Sequence, residues 1–503
     1  MFRKQAFWLT LVLCVALAVP AFAAVENVKL SGDITIRGLY RDGYTLGNLE
    51  TSTYNGGVFA GDDDQKFFMS TVRLRVDADL TENISAEVEL MNQRDIDAPS
   101  GGAQGSPLAT NGTVFQGAGG SAANDQFDVI LNLANITIKE LYYPELSVKI
   151  GRQNIQWGEG FAIGSSQLGN PDPSNTISAD EFSMFNSFDA ITARIDNAPW
   201  HFDLVAAKVR EDQIDAGDDH DLVGINVGRV FDAYSAEGEI YTLLSRDRDQ
   251  ANNWGDVYTE PEVVYAIGLR GSVRPWDRLK LAGEVVWEFG EEGGANGVLP
   301  QGVNDASSTL RAFTLNGRER QNIMALAYDL RAEWDWLEAP WPTKLGLGWV
   351  FYSGEDRNES DNTSTNYRPL FRGKYYSAIR EFQGQFYFTD VGVTPGYTNQ
   401  HQVMFDASFH PFNNQDLTFF TRWLLFWLDE VPIAGRGKFI GNELDMTLDY
   451  AYTEDLTFGL IGAFFWPGDY FDTDRTTVNT FGSSMNQATE TAKEVVGTVS
   501  LAF

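Results

Sequence analysis

One pattern recurs along most of the sequence: segments of about ten residues in which apolar and polar side chains alternate. The clearest example is "FMSTVRLRVDADLTENISAEVEL", residues 68–90. Val72 and Leu74 fall on one face of it, and Arg73 and Arg75 fall on the other. A short turn follows, and the same alternation then resumes. A period of two residues predicts a β-hairpin with one apolar face and one charged face.

Similar segments extend from Val28–Tyr40 to Lys493–Phe503 and number about 18, each long enough for a tilted strand to cross a bilayer. The connections between them alternate in length. Short ones such as "TEN", "NAP" and "TED" take turns with long ones such as residues 96–126, 291–321 and 355–398. Short turns on one side and long loops on the other are typical of outer-membrane barrels.

These observations predict the fold class. After the N-terminal leader, no apolar stretch is long enough for a membrane helix, whereas a closed barrel satisfies its own backbone hydrogen bonds in lipid. We therefore expect an all-β transmembrane antiparallel β-barrel of about 18 strands, with short periplasmic turns, long extracellular loops and both termini in the periplasm. A soluble β-sandwich or solenoid is the alternative. The large aromatic residues near strand ends fit the interfacial girdles of a barrel better.

The N-terminus has the features of a secretory signal. Arg3 and Lys4 precede an apolar run over residues 7–19, and "AFA" places the cleavage site after Ala23. Residues 1–23 are predicted to be a cleaved signal peptide, although a membrane anchor is the alternative. Residues 24–503 are predicted to form a single outer-membrane barrel domain. The one cysteine, Cys14, lies in the leader, so the mature chain has no disulfide and no thiol nucleophile.

The lumen of such a barrel is too wide for side chains to fill, so its lining determines what passes. Basic and acidic side chains both occur at the polar positions of the strands, which are predicted to face the lumen. One interpretation is a salt-bridged lining without selectivity, and the other is a basic ladder for an anionic solute. The basic candidates for the pore lining are Arg73, Arg75, Lys149, Arg194, Arg270, Arg331 and Arg422.

Other functional classes find little support in the sequence. The formal charge of -33 argues against nucleic acid as a partner. We find no HExxH, nucleophile-elbow or Walker A spacing, so we expect no catalytic residues, no cofactor and no metal site. A barrel enzyme acting on lipid or protein is a third hypothesis. It would require a nucleophile and a base close together at the outer rim.

Several short motifs resemble the alginate export family of outer-membrane porins. They begin with "IGRQNIQWGEGF" at residues 150–161 and "FDAITARI" at residues 188–195. Four more follow in the family's order: "FYSGEDRN" (351–358), "YRPLF" (367–371), "IGNELD" (440–445) and "FFWPGDYF" (464–471). These six motifs are distributed along the mature chain from residue 150 to residue 471.

The resemblance implies a large monomeric barrel that exports an acidic polysaccharide through a basic constriction. It adds Arg152 and Gln153 of the GRQ motif to the pore-lining candidates and supports Arg194. Arg152 is two residues after Ile150, so a regular strand would point both side chains towards lipid. Arg152 therefore lies past the bilayer edge, follows a β-bulge, or faces the pore because the alternation assumed here fails. The implied partners are outer-membrane lipid and lipopolysaccharide, the polysaccharide, and a periplasmic export scaffold. A general diffusion porin for small hydrophilic solutes is the alternative function.

The chain ends on "VVGTVSLAF", which alternates to the last residue, Phe503. Free chain ends usually fray, but a barrel must pair its last strand with its first to leave no open edge in lipid. The C-terminal strand is therefore predicted to pair with Val28–Tyr40.

Overall fold

The structure is a computed structural model of the chain. It describes residues 27–44, 46, 53–54, 57–58, 65–95, 129–164, 187–210, 220–247, 261–292, 321–355, 362–381, 398–431, 436–471 and 490–503. The predicted signal peptide, residues 1–23, lies outside the described residues. Residues 24–503 as a single domain remain a prediction.

Eighteen long strands form one closed antiparallel sheet. They are β1 (Asn27–Asp42), β2 (Gln65–Thr81), β3 (Ile84–Asp95), β4 (Ile130–Ile138), β5 (Leu146–Gln153), β6 (Phe188–Asn197), β7 (Trp200–Arg210), β8 (His220–Phe231), β9 (Ala236–Asp247), β10 (Glu262–Trp276), β11 (Leu279–Glu292), β12 (Gln321–Trp336), β13 (Thr343–Tyr352), β14 (Gln400–Phe409), β15 (Leu417–Leu428), β16 (Phe439–Ala451), β17 (Leu456–Pro467) and β18 (Ala492–Ala502). The predicted 18-strand antiparallel β-barrel is confirmed. A two-residue strand, Thr363–Ser364, pairs with β12 in parallel.

Each long strand pairs with its neighbours in sequence, and β18 pairs with β1 to close the barrel. The seam runs from Asp33 opposite Ala502 to Asp42 opposite Lys493. Beyond it, Phe503 and Gly32 exchange two backbone hydrogen bonds of 2.9 and 3.0 Å. The predicted pairing of the last strand with the first is therefore confirmed, and neither strand presents an open edge over this length.

The connections separate the two rims of the barrel. One rim carries short turns, of which residues 82–83 are an example, and the other carries long connections, the longest being residues 353–399. The strands that begin at Asn27 and end at Ala502 place both described ends at the short-turn rim. In the described part of the chain, no helix is long and apolar enough to span a membrane.

The alternation along the strands sorts the side chains between the two faces of the wall. Outward-facing apolar residues, among them Leu30, Ile34 and Trp287, are more than one third exposed. Their inward-facing neighbours, such as Val286 and Glu288, are buried. The barrel therefore has an apolar outer surface, as a lipid-embedded barrel requires, and an inner wall on which apolar and polar residues are mixed.

Candidate functional site

Two stretches of the long connections fold into the lumen, and we call them inner segment A (residues 154–164) and inner segment B (residues 362–381). Segment A follows β5, and segment B lies between β13 and β14. They join through a parallel bridge between Ile163 and Phe371. The backbone N–H of Gly373 also donates to the carbonyl of Gly160 at 2.9 Å. The two segments thus form one continuous insert.

A single apolar cluster attaches this insert to the inner wall. Phe161 stacks on Tyr352 of β13 with ring centroids 5.4 Å apart. Phe371 meets Phe188 of β6 edge to face at 5.2 Å. The same cluster includes Phe465 of β17. Since strands from distant parts of the wall share this cluster, the insert reaches across much of the lumen.

Carboxylates on the wall hold the backbone of the insert by accepting its N–H groups. Glu239 accepts from Gly158 at 3.0 Å, and Glu284 accepts from Glu159 at 2.7 Å. Glu288 accepts from the backbone N–H of Arg368 at 2.8 Å. Irregular backbone buried inside a barrel needs such partners because unpaired N–H groups are costly there.

The strongest of these anchors is Glu443 on β16. Its carboxylate accepts from the backbone N–H groups of Ala378, Ile379 and Arg380 at 2.8, 2.9 and 2.9 Å. It also accepts from the hydroxyl of Ser377 at 3.0 Å. Glu443 is fully buried, as is Glu284, so these acids belong to the anchoring of segment B and segment A rather than to the aqueous lining.

Between the wall and the insert, seven charged side chains of alternating sign form a chain of ion pairs that we call the charge ladder. Arg270 pairs with Glu159 at 2.7 Å, and Glu159 pairs with Lys374 at 3.2 Å. Lys374 pairs with Asp329 at 3.5 Å. The remaining contacts are Asp329 to Arg331 at 3.1 Å, Arg331 to Asp406 at 3.8 Å, and Asp406 to Arg422 at 2.7 Å.

Tyr376 of segment B packs against the basic members of the ladder. The guanidinium carbons of Arg331 and Arg422 lie 3.8 and 5.3 Å from the centre of its ring. Its hydroxyl donates to Asp329. The ring faces attract these cations, so Tyr376 keeps two arginines close together that would otherwise repel each other.

Glu159 is the acidic member contributed by the insert. Burial raises the pKa of its carboxyl, but the charge of Lys374 and the hydrogen bonds and charge of Arg270 outweigh burial and lower that pKa from 4.5 to about 2. Glu159 is therefore ionised at every physiological pH.

A second basic group lines the opposite part of the wall, on β2, β5 and β6. Arg73 pairs with Asp33 at 2.6 Å. Arg75 and Lys149 share Glu87, at 2.8 and 3.3 Å. Arg194 lies 3.7 Å from Asp203. The basic side chains are 30–50% exposed, whereas these three acids are 12–19% exposed. Arg75 and Arg194 also contact the more open Asp77 and Asp196.

The structure places the GRQ motif differently from what the resemblance implies. Arg152 points outward at the end of β5 that leads to a long connection, and it pairs with Asp189 at 3.3 Å. Asp189 is itself 65% exposed and alternates with the buried Phe188 and Ala190. The expectation that Arg152 lines the pore is therefore corrected. β5 pairs with β6 across Gly151 without a bulge, so Arg152 and Ile150 lie on the same face of the wall.

Gln153 faces inward but is almost fully buried. Its amide nitrogen donates to the carbonyl of Ala190 at 2.8 Å, and its amide oxygen accepts from Thr192 at 2.8 Å. These bonds hold β5 against β6 where segment A begins. Gln153 therefore positions segment A and has little surface to offer to a solute.

Two members of the ladder belong to the insert, Glu159 and Lys374, and neither was predicted from the sequence. Tyr376, which packs against the ladder, was not predicted either. The only signal for them was that "WGEGF" and "YRPLF" lie in loops yet carry apolar residues. The ladder's wall arginines, Arg270 and Arg331 among them, were predicted from the sequence because they occupy polar positions of the alternating strands. Among the described residues, no group of three or more His, Cys, Asp or Glu side chains could hold a metal ion.

Comparison with protein families identifies the chain. A family model described as alginate export matches residues 57–482. The chain belongs to the alginate export family. The resemblance seen in the motifs is confirmed, and the six motif stretches lie within the matched range. No match was found among the curated proteins.

Solved structures show the same fold as this member of the alginate export family. OccAB1 of Acinetobacter baumannii has a TM-score of 0.54 and 10% identity, over 97% of this chain and 98% of its own. OpdQ of Pseudomonas aeruginosa has a TM-score of 0.50 and 11% identity, over 95% and 98%. A BenF-like porin from Pseudomonas fluorescens has a TM-score of 0.50 and 10% identity, over 95% and 100%. Family and fold are those of outer-membrane transport porins, and the chain is an outer-membrane channel.

Proposed function

We propose that this channel passively exports an anionic, alginate-like polysaccharide from the periplasm. The short-turn rim and both termini face the periplasm in this proposal, and the long connections face outward. We further propose that the barrel works as a monomer in contact with lipopolysaccharide and receives its polysaccharide from a periplasmic scaffold.

The observation that carries the proposal is that more acids than bases of the wall are buried and so removed from the aqueous lining. Wall acids such as Glu284, Glu288 and Glu443 are buried beneath the insert, where they accept its backbone N–H groups. Arg75 and Lys149, in contrast, remain 41% and 36% exposed. The aqueous lining is therefore more basic than the sequence suggests. Basic linings favour anions in pores.

A second candidate is a diffusion channel for small hydrophilic anions. The observation that favours it is the insert itself, because segments A and B reach across the lumen and narrow the passage. Both candidates use the same basic lining, and they differ in whether a chain of linked sugars passes.

Conductance of the purified protein in planar bilayers tests the proposal. We expect an anion-selective reversal potential in a KCl gradient and block of the current by trigalacturonate. The neutral trisaccharide maltotriose serves as the control and should not block. An anion-selective current without block would favour small anions, and a cation-selective current insensitive to trigalacturonate would contradict both candidates.

A further inference from the structure

The carboxylate of Glu159 is held by the lumen in the way that a bound uronate would be. One of its oxygens, Oε1, accepts from Nε and Nη2 of Arg270 at 3.0 and 2.7 Å. The other, Oε2, accepts from Nζ of Lys374 at 3.2 Å. Two cations from different elements, one on β10 and one on segment B, thus converge on a single carboxylate. Such charge-assisted contacts are the usual means of recognising carboxylates.

The geometry points to a carboxylate subsite formed by Arg270 and Lys374. We propose that Glu159 occupies this subsite in the empty channel as a tethered stand-in for the carboxylate of a transported hexuronate, which displaces it. The inference rests on the proposed function, since it names the group of the solute that is recognised and the residues that recognise it.

The backbone of Glu159 is fixed, so displacement requires movement of its side chain alone. Its N–H is bound by Glu284, and the N–H of the preceding Gly158 is bound by Glu239. Gly158 has a φ of +60°, and an added Cβ would lie 2.6 Å from an oxygen of Glu284. The glycine therefore permits a close approach to the wall that leaves the Glu159 side chain pointing into the ladder.

The two cations stay in place when Glu159 leaves. Arg270 keeps Glu237 at 2.8 Å and Glu239 at 3.6 Å, and Lys374 keeps Asp329 at 3.5 Å. A subsite whose donors are already positioned loses little ordering entropy on binding. The side chains of Glu159 and Lys374 are 27% and 22% exposed, so the site opens to the lumen.

The exchange discriminates by charge. Because Glu159 is ionised, its replacement by a neutral sugar would leave Arg270 and Lys374 with one anion fewer beside them. Such a loss of a charge partner is costly in free energy at a partly buried site. A uronate carboxylate replaces charge with charge. Glu159 therefore raises the selectivity of the channel for anionic sugars at the expense of their affinity.

Block of the single-channel current by trigalacturonate, compared among three proteins, tests the inference. In Glu159→Gln the competing charge is gone, and we expect the half-blocking concentration to fall about fivefold. Glu333→Gln is the matched control, because it removes an exposed carboxylate that lies near Lys280 and contacts neither Arg270 nor Lys374. It should change the half-blocking concentration by less than about twofold.

Glu159→Asp keeps the charge but shortens the reach, and it provides a second variant if the glutamine loosens segment A. It should also tighten block. An effect in both Glu159 variants that is no larger than that in Glu333→Gln would overturn the inference while leaving export intact. If the wild-type channel itself is not blocked by trigalacturonate, the proposed function fails first, so the two failures are distinguishable.

Discussion

At the scale of single residues, the alternation along a strand predicts which face a side chain points to but not which groups it contacts. The alternation around Arg73 and Arg75 indicates correctly that both face the lumen. It cannot show that Glu443 serves the backbone of a loop more than 60 residues away in the sequence. Whether a lumen-facing acid belongs to the fold or to the aqueous lining depends on how the long connections fold, and no periodic signal encodes that.

Arg75 and Arg152 form a matched pair for testing the lining. Arg75→Gln removes an inward-facing charge whose side chain is 41% exposed, and we expect the anion-to-cation permeability ratio to fall about twofold. Arg152→Gln removes an outward-facing charge and should leave the ratio unchanged. Reversal potentials in a KCl gradient measure both. An equal shift in the two variants would contradict the placement of these side chains.

The pKa of Glu159 leads to a prediction about pH. A carboxyl with a pKa of about 2 stays ionised at pH 4, whereas an ordinary glutamate is largely protonated there. The difference in trigalacturonate block between wild type and Glu159→Gln should therefore be as large at pH 4 as at pH 7. Bilayer recordings at pH 7 and 4 check this. Convergence of the two proteins by pH 4 would show that Arg270 and Lys374 do not hold the carboxyl ionised.

At the scale of elements, the period of two was sufficient to locate the strands. The first and last predicted segments, Val28–Tyr40 and Lys493–Phe503, differ from β1 and β18 by no more than two residues at either end. β4 begins at Ile130, three residues later than the predicted connection of residues 96–126 implies, and it ends at Ile138. Apolar residues continue past the end of that strand into its turn, so the pattern alone does not mark where pairing stops.

The glycine of the GRQ motif has a structural reason that the sequence does not reveal. Gly151 has a φ of +116°, and an added Cβ would lie 2.3 Å from the carbonyl oxygen of Ala134 on β4. Gly151→Ala should lower the free energy of unfolding by about 1–3 kcal/mol. Urea unfolding in detergent micelles measures this. The matched control is Gly497→Ala on β18, where an added Cβ has no neighbour within 4 Å. Equal losses in both variants would contradict the account of this strand.

At the scale of the whole molecule, strand number, closure and the alternation of turn lengths followed from the sequence, but the insert did not. Segments A and B lie inside connections that contain Gly, Pro and polar residues and have no periodicity. Their position depends on contacts with a wall that exists only once the barrel has closed.

The anchoring of segment B by Glu443 leads to a prediction about conductance. Glu443→Ala leaves the backbone N–H groups of Ile379 and Arg380 without their acceptor, at a cost of about 1–3 kcal/mol each when buried, and leaves that of Ala378 with only Asp445 at 3.3 Å. Segment B should detach from β16, and the single-channel conductance should rise. Glu333→Ala, which removes an exposed carboxylate 4.0 Å from Lys280, is the control and should conduct as wild type does. A Glu443→Ala channel with wild-type conductance would show that the insert does not limit the passage.

The central claim is that an anionic sugar chain passes through this barrel in preference to a neutral one. Release from proteoliposomes loaded with both trigalacturonate and maltotriose measures it most directly. We expect faster release of trigalacturonate, with the preference reduced in Arg75→Gln and unchanged in Arg152→Gln. Equal release of the two sugars, or faster release of maltotriose, would contradict it.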